Sequence, residues 1–278
     1  MADIKLIAFD LDGTLLNSKK ELTSATREVL EQTAAKSIEL VPATGRFWNV
    51  IPECVRELKF INYALTLNGA EVFDVKNSKS LAKFEISSER ALKMTNVFAD
   101  IPGIIYDCVI DGQGYMRSDM YKKIPDFMVG EWQTRIVADF RKPVDDFNER
   151  IERSSGVQKM QIYTLDKELR ANLLKALQIV FPHCMFTTSV PNNIEINDRT
   201  ANKGNGLKFL AEYLKIKIED TMAFGDGTND LTMIEAAGVG VAMANSCKEV
   251  LDAADFITTD CDNDGVAEGI KKQLGMRS

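Results

Sequence analysis

A largely apolar run at residues 4–9, broken only by Lys5, stops abruptly at Asp10-Leu11-Asp12-Gly13-Thr14, which sets two carboxylates two residues apart. Carboxylates spaced this way at a strand tip can share one site while doing different work. Asp10 can attack as a nucleophile, and Asp12 can protonate a leaving alkoxide and then take a proton from water. A bare carboxylate does not attack a phosphate dianion, whose hydrolysis demands accelerations of up to about 10²¹. A cation must intervene. Asp226, in Gly225-Asp226-Gly227-Thr228-Asn229-Asp230, is the candidate third ligand beside the Asp10 carboxylate and the Asp12 backbone carbonyl. That all-oxygen set suits Mg²⁺. Asp230 is expected behind the ligands, and Asn229 is expected to reach the phosphate or orient its neighbours.

Two more clusters have the chemistry of anion binding. Thr44-Gly45-Arg46 ends a predicted strand, and the Thr44 hydroxyl with the Gly45 amide can hold phosphoryl oxygens at a helix start. An ordinary N-cap would use the same threonine. Lys203 follows Asn202, a cap residue, and so places a cation where the helix dipole is already positive. A bound phosphate would reverse that unfavourable sign. Arg46 either contacts substrate or pairs on the surface.

Composition excludes several other classes. Lys and Arg number 34 against 41 Asp and Glu, a net charge of −7 with no long block of one sign, so neither nucleic acid nor an anionic membrane is an expected partner. The first residues are broken by Asp10 and Asp12 and read as neither a signal peptide nor a span. Five cysteines (Cys54, Cys108, Cys184, Cys247, Cys261) lie far apart with no CxxC pair, which fits a reducing cytoplasm better than a disulfide or zinc framework. His183 is the single histidine and reads as a strand residue. No cysteine has an arginine six positions on, and no GxxxxGK[ST] is present, which removes thiolate phosphatase and P-loop chemistry.

The elements that must position these groups alternate. Strands are predicted at 4–9, 38–42 and 61–67, with helices at 22–36 and about 48–58, the pattern of a doubly wound parallel sheet. Near residue 71 the alternation breaks into a hairpin. From 83 to 190 the pattern is α+β, with a helix at 88–100, strands at 104–110 and 114–117, a polar loop and helix region at 122–153, a strand at 157–164, a helix at 166–181 and a strand at 183–189. One side of the 157–164 strand carries Lys159, Gln161 and Tyr163 and faces either substrate or solvent. Helix and strand alternate again after residue 196, with helices at 203–214, 229–236 and 248–253 and strands at 221–224 and 239–242. The expected organisation is a core of 1–82 and 191–278 with an inserted 83–190 cap.

In type and order the four clusters resemble the motifs of the haloacid dehalogenase superfamily. Asn68-Gly69-Ala70, Ala242-Met243-Ala244-Asn245 and Asp264-Gly265-Val266 are similar to segments of its Cof-type sugar phosphatases. The resemblance implies a Rossmann-like catalytic core, a cap that closes to exclude water and select the leaving group, Mg²⁺ as cofactor, and a small phosphorylated metabolite, a sugar phosphate, as substrate. Expected phosphate contacts are Leu11, Thr44, Gly45, Lys203 and Asn229, with Asn68 and Asn245 at the mouth. A phosphomutase of the same superfamily, or an inactive metabolite-binding protein on the same scaffold, is the alternative. Asp12 favours hydrolysis, since an enzyme that preserves its aspartyl-phosphate has no need of a second acid. Oligomeric state is not legible in the sequence.

Overall fold

The computed structural model describes residues 3–276; the outermost positions of the expected core, 1–2 and 277–278, lie outside them. The chain forms two compact units, Met1–Lys83 with Asn202–Ser278, and Phe84–Ala201. The boundary falls beyond the expected residue 190 because the Asn193–Asp198 strand pairs antiparallel with Lys159–Tyr163 and Cys184–Thr187 and so belongs to the inserted unit.

In the first unit five parallel strands run in the order Phe256–Ile257, Val239–Ala242, Thr221–Gly225, Leu6–Phe9, Glu39–Pro42. Leu6–Phe9 is buried along its whole length, as its unbroken apolar sequence requires of a strand covered on both faces. Ile7, Phe9, Leu40, Met222 and Phe224 pack with Val29 and Leu30 of the Ser24–Ala34 helix and with Val266 and Ile270 of Gly265–Leu274. The Leu231–Ala236 helix packs on Lys203–Tyr213 and on the Thr221–Gly225 and Val239–Ala242 strands. From Leu6–Phe9 the chain moves first to Glu39–Pro42 on one side and later to Thr221–Gly225 on the other. That reversal is the topological switch point, where ligand sites form beyond the carboxyl ends of the strands.

Several local expectations are corrected. Instead of one helix at 48–58 there is a 3₁₀ turn, Trp48–Val50, and a short helix, Glu53–Arg56, because Pro52 interrupts the apolar spacing. The strand expected at 61–67 is Tyr63–Thr66, which pairs antiparallel with Glu71–Asp74 in a three-stranded sheet completed by Lys79–Lys83. A single parallel bridge, Ala43 to Leu65, links it to the end of Glu39–Pro42. The Phe256–Ile257 strand and the Gly265–Leu274 helix were not anticipated.

The Phe84–Ala201 unit holds a six-stranded sheet in the order Cys184–Thr187, Asn193–Asp198, Lys159–Tyr163, Ile105–Ile110, Gln113–Arg117, Arg141–Val144. Tyr106, Cys108, Met160, Ile162, Ile194 and Ile196 pack against the Ser88–Ala99, Phe147–Arg153 and Lys167–Val180 helices. The opposite face combines an apolar cluster, in which Ile105, Met116 and Tyr163 pack with Ile124, Met128 and Val137, with buried polar groups. Arg141 Nε donates to Asp107 at 2.8 Å, and Lys159 pairs with Glu195 at 2.7 Å. Gln161 and Tyr163 both donate to Asp107, at 3.3 and 3.2 Å. Lys159, Gln161 and Tyr163 therefore do not face solvent. His183 is exposed and lies one residue before its strand.

Candidate active site

Leu6–Phe9 is in register with both neighbours, Phe9 pairing with Phe224 and with Pro42, so the chains leave the sheet along one edge. Asp10, Thr44 and Asp226 follow from those three tips. Lys203 arrives from a different direction. Asn202 caps the Lys203–Tyr213 helix, its side chain accepting from the Asn205 amide at 2.8 Å. The Lys203 ammonium is fully buried and donates to Asp10 Oδ1 and to Asp230 Oδ1, each at 2.5 Å. The cation that is misplaced with respect to its own helix is thus paired with two carboxylates from distant segments.

Asp230 is spent in this arrangement. Its Oδ2 accepts from the Asp226 and Gly227 amides at 2.9 Å each, which ties the Gly225–Asn229 turn around it. Asp226 is fixed by Thr14, whose hydroxyl donates to its Oδ1 at 2.8 Å. Gly13 makes that approach possible: its φ is +93°, and a Cβ there would lie 2.5 Å from Asp226 Oδ2.

Carboxylate oxygens of Asp10, Asp226 and Asp230 lie within 4.8 Å of one another. Three carboxylates face one ammonium, so the cluster carries two excess negative charges when all of its groups are ionised. Burial lifts Asp10 to about 7; Lys203 pulls it back, while Asp230 and Asp226 push it up. Burial likewise raises Asp226 to about 6, against the hydrogen bond from Thr14 and with the charge of Asp230. Both carboxylates resist ionising beside one another, and a divalent cation would relieve this. Hard oxygen donors and a charge of minus two fit Mg²⁺. With Asp230 occupied, Asp10 and Asp226 are the side chains with an oxygen to offer.

Asp12 points elsewhere. Arg46 grips it with a two-pronged contact, Nε to Oδ2 at 2.9 Å and Nη2 to Oδ1 at 3.0 Å, and Lys20 lies 3.0 Å from Oδ1. Burial works to raise Asp12, but Arg46 and Lys20 outweigh it and hold the carboxyl below its usual range. Thr44 is buried, and its hydroxyl accepts from the Arg46 amide at 3.3 Å. No helix starts at Gly45, since the next turn begins at Trp48, so the dipole argument for this segment fails. Asn229 donates to Asn68 Oδ1 at 3.4 Å, and that oxygen lies beside Gly45. Leu11 turns its side chain into the core.

This constellation of motifs matches a known family along nearly the whole chain, the haloacid dehalogenase-like hydrolase profile covering residues 7–270. The chain belongs to the haloacid dehalogenase-like hydrolases. It is 31% identical over 277 residues to the 5-amino-6-(5-phospho-D-ribitylamino)uracil phosphatase YcsE of Bacillus subtilis, covering 97% of this chain and 95% of that one. A solved haloacid dehalogenase-like hydrolase from Bacteroides thetaiotaomicron superposes with a TM-score of 0.81 at 29% identity, covering 97% of this chain and 99% of that one. The subclass IIB sugar phosphatase BT4131 gives a TM-score of 0.78 at 27% identity, covering 98% and 100%. This haloacid dehalogenase-like protein is a phosphoric monoester hydrolase of the Cof type.

Of the residues singled out in the sequence, Asp10, Lys203, Asp226 and Asp230 form one cluster, Asp12 and Arg46 a second, and Gly45, Asn68 and Asn229 a third. Asn245 is a strap, donating to the Gly13 carbonyl at 2.8 Å and accepting from the Cys261 amide at 3.0 Å. Lys20 and Thr14 were missed as contributors. Thr14 carried a signal in its place within the first motif, and Lys20 carried only that of a polar turn.

Proposed function

We propose that this chain is a Mg²⁺-dependent phosphatase of small phosphorylated metabolites, of the sugar phosphate class, working through an aspartyl-phosphate on Asp10 in the cytoplasm. The observation that carries the reading is the buried Lys203 bridge between Asp10 and Asp230, which joins three separate motifs around an excess of negative charge. Asp10 and Asp226, with the Asp12 carbonyl, are the groups assigned to hold the ion. When bound, the ion screens the phosphoryl charge that a bare carboxylate could not approach.

The rest is work for the side chains. Lys203 holds Asp10 through Oδ1, which fixes the carboxylate that attacks phosphorus. As the ester P–O bond breaks, Asp12 gives the leaving alkoxide its proton, and the same carboxylate then accepts a proton from the attacking water. The amides of Leu11 and Gly45, the Thr44 hydroxyl and Asn229 are assigned to the phosphoryl oxygens, with Asn68 at the mouth. Substrate selectivity is assigned to the Phe84–Ala201 unit.

Phosphate release from p-nitrophenyl phosphate is expected with Mg²⁺ and not with EDTA, and Asp10→Asn is expected to abolish it while leaving the circular dichroism spectrum intact. An Asp10→Asn protein of wild-type activity would end the reading. A panel of phosphorylated sugars and other metabolites then tests the substrate class, and isomerised product in place of free phosphate would favour the mutase alternative.

A further inference from the structure

The parallel sheet sets Phe9 against Phe224, but Asp12 and Asp226 lie beyond it, on loops whose spacing the strands alone do not fix. The first loop folds back on itself: the Thr14, Leu15 and Leu16 amides donate to the Leu11, Asp10 and Leu11 carbonyls at 3.4, 3.2 and 2.9 Å. Its Gly13 carbonyl accepts from Asn245 Nδ2 at 2.8 Å. The segment that carries Asn245 also holds the second loop. The Met243 and Cys247 amides donate to the Gly225 and Asp226 carbonyls at 3.2 and 2.9 Å, and the Ser246 hydroxyl donates to the Gly225 carbonyl at 3.1 Å. Thr14, bound to Asp226 Oδ1 at 2.8 Å, closes a ring. It runs from the Asp226 backbone through residues 243–247 to Asn245, across to Gly13, and through the Thr14 hydroxyl back to the Asp226 carboxylate.

The Asn245 amide fits its place in one orientation only. Oδ1 accepts from the Cys261 amide at 3.0 Å while Nδ2 donates to Gly13, and turning the group over would set oxygen against oxygen and N–H against N–H. The residue is exposed, yet each of its polar atoms meets a backbone group from a different segment. We propose that Asn245 is a positioning residue for the cation: by tying the Gly13 carbonyl to the segment that holds the Asp226 backbone, it sets the spacing between the Asp12 carbonyl and the Asp226 carboxylate before an ion arrives. The proposal rests on the reading above that these two groups and Asp10 hold the ion. Asn245 acts through Gly13 and not on the ion. A polar group one contact removed from metal ligands typically governs about tenfold to a hundredfold in affinity. Water can take the place of an exposed amide on Gly13, so the lower end is expected.

The test is a calorimetric titration of EDTA-stripped full-length protein with MgCl₂, without substrate, for wild type, Asn245→Ala, Thr14→Val, the double variant and Asp226→Asn. The urea midpoint and the half-saturating Mg²⁺ concentration for hydrolysis of p-nitrophenyl phosphate are read beside it. Asn245→Ala is expected to weaken Mg²⁺ about tenfold and to raise the half-saturating concentration to match, with saturating Mg²⁺ restoring most of the turnover. A ring is opened by its first cut, so the double variant should weaken Mg²⁺ by less than the product of the two single effects. If Thr14→Val does not fold, Asn245→Ala, at an exposed position, carries the test alone. Wild-type Mg²⁺ affinity in Asn245→Ala beside its loss in Asp226→Asn would overturn this proposal and leave the metal reading standing. Single effects that multiply would also overturn it, since the two contacts would then act independently. So would a lower urea midpoint and a turnover that saturating Mg²⁺ does not restore, with affinity unchanged, by marking Asn245 as structural support. Wild-type Mg²⁺ affinity in Asp226→Asn would remove the metal reading and this proposal with it.

Discussion

Replacing Lys203 by methionine keeps most of the side chain's volume and deletes one positive charge from a fully buried position. The ammonium is 2.5 Å from Asp10 Oδ1 and 2.5 Å from Asp230 Oδ1, and those side chains are 9% and 1% exposed. Removing one partner of a buried pair typically costs about 3–5 kcal/mol, because the charge left behind is neither solvated nor paired. Here two carboxylates lose their partner and a third, Asp226, lies close by, so the upper half of that range is expected. For a unit of this size the melting temperature should fall by on the order of 10 °C. The measurement is urea unfolding in EDTA at neutral pH of wild type, Lys203→Met, Asp230→Asn and the double variant. The double variant should recover at least half of the loss, since one unpaired charge is gone and an asparagine oxygen can still accept from the Asp226 and Gly227 amides. It should not recover activity, because nothing then restrains Asp10. A Lys203→Met protein within about 0.5 kcal/mol of wild type, or a double variant no more stable than the single, would refute the electrostatic reasoning.

Other outcomes follow from the same contacts. Asp10 and Asp226 are raised to about 7 and about 6, so the folded, metal-free protein holds protons that the unfolded chain releases. Its stability should therefore fall as pH rises from about 4 towards neutrality, and added Mg²⁺ should raise the melting temperature more at pH 8 than at pH 5.5; an equal gain at both contradicts the assignment. Gly69→Ala puts a Cβ 2.3 Å from the Asn202 carbonyl at a φ of +88°, beside the cap that positions Lys203. It should cost at least about 2 kcal/mol in urea and lower turnover, and a wild-type midpoint would count against it. In the inserted unit, Arg141→Met leaves the fully buried Asp107 without its 2.8 Å partner. A loss of about 3–5 kcal/mol is expected, partly restored by Asp107→Asn, and calorimetry that finds no change would refute it.

The meeting place of the candidate residues was legible because it lies where strands end. Asp10, Thr44 and Asp226 each interrupt an apolar run, and an in-register parallel sheet brings such interruptions to one edge. Lys203 was legible through a local misfit, a lysine at the positive end of its own helix. What failed was whatever depended on pairing across the sheet. Tyr63–Thr66 reads as one more parallel strand by composition, and only its partners, Glu71–Asp74 and Ala43, show otherwise. Arg141–Val144 contains Pro143 and reads as loop, yet it is an edge strand parallel to Gln113–Arg117, where a missing amide costs little. Pro52 broke a helix that the apolar spacing alone supports. Lys20 was invisible because its contact with Asp12 depends on a left-handed turn at a residue that seldom adopts one.

The central claim is a covalent bond between phosphorus and Asp10. Borohydride reduction of protein quenched during turnover, followed by peptide mapping, reads that bond directly, since an acyl phosphate on an aspartate is reduced to homoserine and a free carboxylate is not. The account predicts homoserine at position 10, only when both substrate and Mg²⁺ are present. Steady turnover with an unmodified Asp10, or with the reduction found at Asp12 or Asp226 instead, would contradict it.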